Sequence, residues 1–302
     1  MTTLEGRSIW IDGRLEAAEG RHVSAFDRGF QLGDGVFETL RARAGHPTEL
    51  DEHLARLRSS AEGLDFAIDE ELEDQVAAGI AALLAAEQLD GPDGDASIRI
   101  TVSRGVMAGR GLLPPEETHA TVVIQAWPVP PTPADHLERG LHLVTSAVRR
   151  DPLNPLAALK TTSRADYVFA RLEARRAGAD DALFLTIDGR ISEATSANVF
   201  LVRVGQLATP GLDAAILPGT TRSWILGWAA AAGLGPSEGP LHPADLAAAD
   251  EAFLCSSVAG ILPVTRFDGA AIGSGRPGGW TLRAREAREA FIRGDGPTGR
   301  RA

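Results

Sequence analysis

A proline-rich segment near the middle of the chain limits its fold more than any other feature. Residues 127–133 are Trp-Pro-Val-Pro-Pro-Thr-Pro, so four of the six residues after Trp127 are proline. Proline donates no main-chain hydrogen bond and its ring collides with the preceding helical turn, so neither a helix nor an interior strand continues through this segment. We therefore predict a smaller N-terminal domain of residues 1–126, a linker of residues 127–137 and a larger C-terminal domain of residues 138–302.

Strand-like and helix-like patterns are mixed irregularly on both sides of this segment. The N-terminal part predicts a hairpin at Asp12-Gly13, strands at residues 36–41, 98–102 and 121–126, and helices at residues 50–64 and 70–89. The C-terminal part predicts strands at residues 140–148, 182–187, 198–204 and 251–255, and helices at residues 165–177, 221–232 and 242–249. Two blocks of this kind indicate an α+β fold rather than a regular βαβ winding.

Lysine is almost absent from the chain. There are 29 arginines and one lysine, Lys160, among the 302 residues. Such a preference indicates a compositional bias that replaces lysine wherever the exchange is harmless. Arginine cannot replace a lysine that must act as a neutral amine, because a guanidinium stays protonated and cannot form a Schiff base. Lys160 is therefore a candidate catalytic residue, although composition alone leaves chance survival at the surface an equal alternative.

Charge and cysteine content exclude several functional classes. The formal net charge of −11 argues against a nucleic-acid-binding surface. The one cysteine cannot form an intramolecular disulfide, and no Cys/His cluster has the spacing of a zinc site. No apolar run approaches the roughly 18 residues of a membrane span, and the first residues lack the pattern of a signal peptide. We expect a cytoplasmic, metal-free protein that binds small molecules and neither nucleic acid nor a membrane.

Three common catalytic motifs are missing from the sequence. Gly33-Asp34-Gly35 lacks the third glycine and the helix start of a dinucleotide-binding fingerprint, and no Walker A pattern occurs. No Gly-x-Ser-x-Gly nucleophile motif occurs either. Hydride transfer, phosphoryl transfer and serine hydrolysis are therefore disfavoured.

The surroundings of Lys160 suit an amine that acts as a nucleophile. Lys160 follows the apolar residues 155–159 and stands at the start of a predicted helix. Removal from water favours the neutral form of an amine, which a Schiff-base or general-base lysine requires. The alternative is a lysine that simply reaches solvent from the start of a helix.

A buried carboxylate is predicted further along the chain. Glu193 lies in a run of small polar residues between two predicted strands. A carboxylate in such a place needs a cationic partner or several donors. The pyridinium nitrogen of pyridoxal 5′-phosphate (PLP) is one such partner, and a glutamate there keeps the ring protonated and able to accept electrons. A turn carboxylate satisfied by neighbouring hydroxyl groups is the alternative.

The sequence also offers groups that could bind a phosphate. Residues 217–222 are Leu-Pro-Gly-Thr-Thr-Arg and come just before a predicted helix, where free N–H groups and the helix dipole favour an anion. Arg56 could add a bidentate contact, and Ser257 follows a predicted strand. Thr221 as an ordinary helix cap and Arg56 as a solvated helix residue are the alternatives.

The order of these segments resembles the class IV aminotransferases, the PLP enzymes of fold type IV. The resemblance extends from about Ile9 to Ala290. It depends on five segments in a fixed order: residues 27–38 (Asp-Arg-Gly-Phe-Gln-Leu-Gly-Asp-Gly-Val-Phe-Glu), residues 52–57 (Glu-His-Leu-Ala-Arg-Leu), Lys160, residues 192–200 with Ser192-Glu193 and Asn198-Val199-Phe200, and residues 217–222. The family includes branched-chain and D-amino-acid aminotransferases, R-selective amine transaminases and 4-amino-4-deoxychorismate lyase.

The resemblance implies a role for each of these segments. Lys160 matches the lysine that forms a Schiff base with the cofactor, and Glu193 matches the glutamate at the pyridine nitrogen. The residues that match the family's phosphate site are Arg56, Thr220, Thr221 and Ser257. The family folds as two α+β domains with PLP between them, and it is usually a homodimer whose partner completes the active site.

The substrate is less strongly indicated than the cofactor. Branched-chain enzymes have several pocket tyrosines, whereas this chain has only Tyr167 and carries Leu32 and Ser97 at matching positions, so that subclass is disfavoured. We expect an aminotransferase that uses a small amino acid, with D-amino acids favoured and R-amines as a further class, together with a 2-oxo acid. The residues expected to contact the substrate are Arg28, Leu32, Phe37, Thr39, Arg99 and Arg110.

A lyase is the alternative within the same family. The bacterial D-amino-acid enzymes hold the substrate carboxylate with an Arg-x-His pair in the loop after residues 98–102, and this loop contains no histidine here. Arg28, Arg99 or Arg110 would have to bind the carboxylate instead. The loop is also similar to that of aminodeoxychorismate lyases, and Thr39 falls at a threonine position important in them. Elimination of pyruvate to give 4-aminobenzoate is therefore the second hypothesis.

Overall fold

The computed structural model describes residues 4–109 and 111–295. These residues divide into two compact units. The first contains Met1–Pro130 together with Leu159–Arg164, and the second contains Pro131–Ala158 and Ala165–Ala302. The change from one unit to the other after Pro130 lies within the proline-rich segment. The short segment that carries Lys160 belongs to the first unit, whereas the sequence predicts a C-terminal domain for everything beyond residue 137.

The first unit is built on one six-stranded sheet with the strand order β2-β1-β6-β5-β3-β4, and all of its neighbouring strands are antiparallel. The strands are β1 (Ser8–Ile11), β2 (Arg14–Ala17), β3 (Gly35–Arg43), β4 (His46–Pro47), β5 (Asp95–Ser103) and β6 (Thr121–Pro128). The helices are α1 (Arg28–Leu32), α2 (Leu50–Glu62) and α3 (Glu70–Ala86). The predicted hairpin at Asp12-Gly13 is confirmed, as are the helices predicted at residues 50–64 and 70–89 and the strands predicted at residues 98–102 and 121–126.

Alternation along β3 separates the two faces of this sheet. Val36, Leu40 and Ala42 are fully buried in a core that the helices α2 and α3 complete. Because side chains alternate along a strand, Phe37 and Thr39 lie on the opposite face. We call this opposite side the Phe37 face. The cross-strand partners of these two residues on β5, Thr101 and Arg99, lie on the same face, so this face carries polar and charged side chains.

The lysine-bearing segment adds a short edge to the sheet. The N–H group of Phe37 donates to the carbonyl oxygen of Lys160 at 2.9 Å, and the N–H group of Thr162 donates to the carbonyl oxygen of Gly35 at 2.8 Å. Val36 and Thr161 form the antiparallel bridge between these bonds. Since β4 pairs only with the far end of β3, the near end of β3 offers its main-chain groups to residues 160–162.

The second unit contains a nine-stranded mixed sheet. The order is β12-β11-β10-β13-β14-β7-β8-β9, with β15 paired to β14. The strands are β7 (Leu141–Arg150), β8 (Asp181–Thr186), β9 (Ile191–Ala194), β10 (Asn198–Arg203), β11 (Gln206–Pro210), β12 (Gly235–Gly239), β13 (Glu251–Ser256), β14 (Gly260–Phe267) and β15 (Ala270–Ala271). The helices are α4 (Ala134–Glu138), α5 (Ala165–Arg176), α6 (Thr220–Ala231), α7 (Pro243–Ala247) and α8 (Gly279–Arg293).

Helices α6 and α8 pack together and both contact β13. Their shared core contains Phe200 and Phe253, whose rings stack with centroids 5.2 Å apart. This packing fixes the first turn of α6 beside the inner side of α8. The mixture of antiparallel and parallel strands with peripheral helices confirms the predicted α+β class.

Within residues 4–109 and 111–295, none of the helices combines the length and the hydropathy that a bilayer crossing requires. The same residues contain no group of three or more His, Cys, Asp or Glu side chains arranged to hold a metal ion. The cysteine, Cys255, is buried in β13.

Candidate active site

The main chain of the lysine segment is held by hydrogen bonds on both sides. The carbonyl oxygen of Lys160 accepts from Phe37, and its N–H group donates to the hydroxyl of Ser60 on α2 at 3.1 Å. The hydroxyl of Thr162 donates to the carbonyl oxygen of Gly33 at 2.8 Å. Gly33 has φ +68, and a Cβ there would lie 2.4 Å from the Ser163 hydroxyl, so only glycine fits this close approach. The lysine is thus fixed by backbone contacts while its side chain stays half-buried.

A buried ionic group lies next to this segment, on the core face of β3. Glu38 is fully buried and accepts from Arg56 Nε at 2.7 Å, from Arg56 Nη2 at 2.8 Å and from His53 Nδ1 at 2.7 Å. Burial by itself would raise the pKa of Glu38. The hydrogen bonds from Arg56 and His53, with the charges of Arg56 and Lys160, outweigh it and lower that pKa to about 2. Glu38 is therefore a permanent anion close to the lysine.

Arg56 is consequently a bound residue rather than a solvated one. Its side chain is only 10% exposed, and its guanidinium forms a bidentate pair with Glu38. Such a pair holds the planar group in one orientation. The alternative of a solvated helix arginine is excluded by this geometry, and the orientation of Arg56 is set by a residue on another element.

Three cationic groups surround the ring of Phe37. Arg99 lies with its guanidinium carbon 3.9 Å from the ring centroid, Lys160 with Nζ at 4.9 Å and Arg164 with its guanidinium carbon at 5.0 Å. Thr39 is the direct cross-strand partner of Arg99 on the same face. Burial, followed by the charge of Arg164, lowers the pKa of Arg99. Within the part of the chain that the structure describes, Arg99 has no carboxylate at ion-pair distance.

The structure gives Arg28 a different position from the one expected. Arg28 is 3% exposed, and it pairs with Asp34 at 2.7 Å. It also donates to the carbonyl oxygens of Gly111 at 3.2 Å and Leu112 at 2.7 Å and to the sulfur of Met107 at 3.4 Å. Its donors are thus used to hold the loop after β5.

Arg104 completes this anchor by pairing with the same Asp34 at 2.9 Å. The two arginines lower the pKa of Asp34 against the opposing effect of burial. Of the other residues expected to contact the substrate, Leu32 ends α1 with a 42% exposed side chain, and Arg110 lies outside the described residues.

Glu193 occupies β9 as a buried acceptor. The residue is 5% exposed, and its carboxylate accepts from the N–H group of Leu217 at 2.9 Å and from Asn198 Nδ2 at 3.4 Å. Asn198 also donates to the carbonyl oxygen of Leu217 at 3.0 Å, so the three residues form one small network. The partners of Glu193 therefore include a main-chain N–H group and a side-chain amide.

The first turn of α6 has the properties of a phosphate cradle. Gly219 is the N-cap, and no side-chain hydrogen bond caps the start of the helix. Thr220 and Thr221, the first two residues of α6, are both buried. The Thr220 hydroxyl lies 3.4 Å from that of Ser257 in the turn between β13 and β14. A helix start with uncapped N–H groups and several hydroxyl groups favours an anion with many acceptor oxygens. Thr221 is therefore not the helix cap that the alternative proposed.

A family model described as amino-transferase class IV matches residues 35–267 of the chain. The chain belongs to the class IV aminotransferases. A branched-chain-amino-acid aminotransferase of Escherichia coli (strain K12) is 31% identical over 294 residues, which are 95% of this chain and 93% of that protein. The match therefore extends over nearly the whole of both proteins.

Solved structures of the family superpose closely. An E. coli branched-chain amino acid aminotransferase has a TM-score of 0.90 at 29% identity and covers 97% of both chains. Another branched-chain amino acid aminotransferase, solved with pyridoxamine 5′-phosphate, has a TM-score of 0.89 at 27% identity, covering 98% of this chain and 97% of that chain. A 4-amino-4-deoxychorismate lyase from Pseudomonas aeruginosa has a TM-score of 0.79 at 33% identity, covering 92% of this chain and 97% of that chain.

Class IV aminotransferases use PLP, so the predicted cofactor and the predicted enzyme class are confirmed. The described residues fit this group. A buried carboxylate on Glu193 suits a protonated ring nitrogen, because opposite charges stabilise each other strongly where water is excluded. The uncapped start of α6 suits the phosphate. Lys160 belongs to the first unit, whereas Glu193 and the phosphate cradle at Thr220, Thr221 and Ser257 belong to the second.

Four residues that now stand out were not predicted from the sequence, and two of them left a detectable signal. Glu38 interrupts the apolar core face of β3, where a charge demands partners. His53 stands at the i, i+3 spacing from Arg56 that places both on one side of α2. Arg164 has no such local signal, because only a long-range contact places it beside Phe37. Asn198 lies five residues after Glu193, but an uncharged amide does not by itself demand a partner.

Proposed function

We propose that the protein transfers the amino group of an amino acid to a 2-oxo acid, with Arg99 and Arg164 binding the substrate carboxylate. The observation that carries this proposal is the group of cations around Phe37, where both guanidinium groups lie beside Lys160. Burial and the charge of Arg164 both disfavour the charged form of Arg99, and a bound carboxylate would stabilise that form. Both substrates of amino transfer carry a carboxylate, so one pair of arginines serves both half-reactions.

Amino acids rank above R-amines for the same reason. An amine such as 1-phenylethylamine has no carboxylate, so it would leave Arg99 half-buried without a counter-ion. Hydrogen bonds to a charged group contribute about 1.5–3 kcal/mol. Amines are therefore expected to be poor substrates at best.

For the side chain of the substrate, branched-chain amino acids are the best-supported class. The relatives that match over nearly the whole chain are named branched-chain aminotransferases. The D-amino-acid preference expected from the sequence has no such support. The scarcity of tyrosine still distinguishes this chain from the branched-chain enzymes with their pocket tyrosines. Its one tyrosine, Tyr167, packs against Phe184 in the second unit with ring centroids 5.3 Å apart. A pocket for an aliphatic substrate side chain would therefore depend on apolar residues other than tyrosine, such as Phe37.

The proposed roles of the chain's own residues follow from their chemistry. PLP, when bound, supplies an electron sink for the substrate. The amine of Lys160 binds the cofactor and, once released from it, moves the proton at the substrate Cα as a general base. Glu193 holds the proton on the ring nitrogen. Thr220, Thr221 and Ser257 donate to the phosphate, and Arg56 is proposed to approach it from its fixed pair with Glu38.

The lyase is retained as the second candidate because the P. aeruginosa lyase is 33% identical and covers 92% of this chain. Thr39 falls at a threonine position important in such lyases, and it lies on the Phe37 face directly opposite Arg99. Elimination of pyruvate and amino transfer share their first proton abstraction, so the same residues would serve either reaction.

We also propose a cytoplasmic homodimer. Phe30, Leu112 and Leu113 are 74%, 82% and 86% exposed. Arg28, on the same helix α1 as Phe30, holds the main chain of the loop that carries the two leucines. Exposed apolar side chains of this kind are typical of an interaction surface. A second copy of the chain would remove them from water. Replacing Leu112 and Leu113 by glutamate should give monomers in light scattering, whereas Val204→Glu, at an exposed turn, should not. A dimer that survives the double change would contradict this interface.

One spectroscopic experiment tests the cofactor chemistry and the substrate together. The purified protein should be yellow, and Lys160→Ala should lose the visible absorbance of bound cofactor. Addition of single donors without acceptor should bleach the band with L-valine, L-leucine or L-isoleucine and form pyridoxamine phosphate. A response to D-alanine alone would restore the D-amino-acid hypothesis. Release of pyruvate and 4-aminobenzoate from aminodeoxychorismate would establish the lyase, and an unchanged spectrum in Lys160→Ala would refute the lysine assignment.

A further inference from the structure

Arg288 is the largest fully buried side chain in the described part of the chain. It belongs to the inner side of α8, together with Thr281, Ala284 and Ile292. The other three are uncharged, as expected for the buried face of an amphipathic helix. A guanidinium in this position loses its hydration, which is costly unless the charge has a purpose or a partner nearby.

The guanidinium of Arg288 lies behind the first turn of α6. Its Nη2 donates to the hydroxyl oxygen of Thr221 at 3.3 Å. Its guanidinium carbon lies 5.1 Å from the ring centroids of both Trp224 on α6 and Phe291 on α8. These contacts hold the charge in place in a region from which water is excluded, where an electrostatic effect is stronger than at the surface.

The bond to Thr221 determines which way that hydroxyl can act. A hydroxyl oxygen accepts through its lone pairs and donates through its single proton. Since Arg288 has donors only, Thr221 must accept from it, and the Thr221 proton remains available for an acceptor elsewhere. The start of α6 and the guanidinium are both positive, so both would stabilise an anion bound at this helix start.

We propose that Arg288 is a positioning residue for the phosphate of the cofactor. It keeps the hydroxyl of Thr221 as a donor to the phosphate and adds a buried positive charge behind the helix start. This inference rests on the proposed phosphate site at Thr220, Thr221 and Ser257. It extends that site to the last helix of the chain, which acts on the phosphate through Thr221.

A comparison of two cofactor forms isolates the phosphate. Apoenzyme would be titrated with PLP and with pyridoxal, which lacks the phosphate, and the ratio of the two dissociation constants measured. Arg288→Met should weaken PLP binding roughly 10- to 100-fold and leave pyridoxal binding unchanged. Arg288→Lys, which keeps the charge, should lose less. The matched control is Arg285→Met on the same helix, because Arg285 donates to the carbonyl oxygen of Ile261 instead.

Thr221→Ala separates this inference from the phosphate site itself. If Thr221→Ala lowers the selectivity for PLP and Arg288→Met does not, Arg288 has no positioning role and the site stands. If neither variant changes the selectivity, the phosphate site is misplaced. Should Arg288→Met fail to fold, Arg288→Lys is measured with phosphorus-31 NMR of bound PLP. A shifted resonance supports the inference, and an unshifted resonance with unchanged selectivity overturns it.

Discussion

The N–H group of Phe37 donates to the carbonyl oxygen of Lys160 at 2.9 Å, and this bond joins residues more than a hundred positions apart in the chain. It pairs the lysine segment with β3, the strand that carries both Phe37 and the buried Glu38. The main chain at Lys160 is therefore held in place by the sheet. Its electrostatic surroundings are set by residues of the first unit, although the chain before Leu159 and after Arg164 belongs to the second.

Glu38→Gln is expected to destabilise the protein in a pH-dependent way. The pKa of Glu38 is lowered from 4.5 to about 2 in the folded state, so its contribution is complete above pH 4.5 and is lost as the pH falls toward 2. The difference in unfolding free energy from the wild type should be about 3 kcal/mol at pH 7 and should shrink below pH 4.5. Urea unfolding between about pH 7 and pH 3 measures it.

Glu73→Gln is the control for this prediction. Glu73 pairs with Arg58, whose side chain is 41% exposed, so its removal should cost less. A pH-independent difference for Glu38→Gln would contradict the assignment of a permanent anion beside Lys160.

Arg99→Met should raise KM for both the amino acid and the 2-oxo acid by roughly 10- to 100-fold, because one charged donor to the carboxylate is lost. Steady-state kinetics with each substrate varied in turn measures this effect. Arg41→Met is the matched variant on the Phe37 face, since Arg41 is paired with Asp95 at 2.7 Å. Unchanged KM values in Arg99→Met would leave the carboxylate to another residue.

Arg28→Met should lower stability by about 3 kcal/mol, because it breaks a buried ion pair and releases the loop that Gly111 and Leu112 belong to. Chemical denaturation and limited proteolysis of the loop would detect the change. The opposite pattern, a stable protein with a higher KM, would return Arg28 to the substrate site expected from the sequence.

Gly219→Ala should disturb the network around Glu193. A Cβ at this position would lie 2.1 Å from Asn198 Oδ1, and Asn198 is hydrogen-bonded to Leu217 and Glu193. We expect a stability loss of about 1–3 kcal/mol and weaker PLP binding, measured by thermal unfolding and cofactor titration.

Gly227→Ala, in the same helix, meets no atom within 4 Å. It should be neutral or stabilising, because alanine is the better helix former. Equal behaviour of the two variants would show that the close contact at Gly219 is unimportant.

Features that depend on neighbours in sequence can be predicted without the structure. The spacing of apolar residues predicts a helix at residues 165–177, and α5 spans Ala165–Arg176, because this spacing is local. The Asp12-Gly13 hairpin follows from turn chemistry in the same way. The division of the chain at the prolines is equally local, since it reflects the geometry of one residue type.

Features that depend on distant contacts cannot be predicted in this way. Arg28 and Arg99 are equal candidates for the carboxylate in the sequence, since nothing there shows that Arg28 is committed to Asp34 while Arg99 faces Arg164. The sequence places Arg56 at a phosphate, but its partner Glu38 is visible only once α2 packs on β3.

The sequence by itself determined the chemistry. One lysine remains beside 29 arginines, and the order of short motifs around Lys160, Glu193 and residues 217–222 indicates a Schiff base, a pyridine ring and a phosphate. The tertiary structure decided which charges are already neutralised and which face a ligand. That distinction arises from contacts between distant parts of the chain, because folding commits Arg28 to Asp34 and places Arg99 beside Phe37.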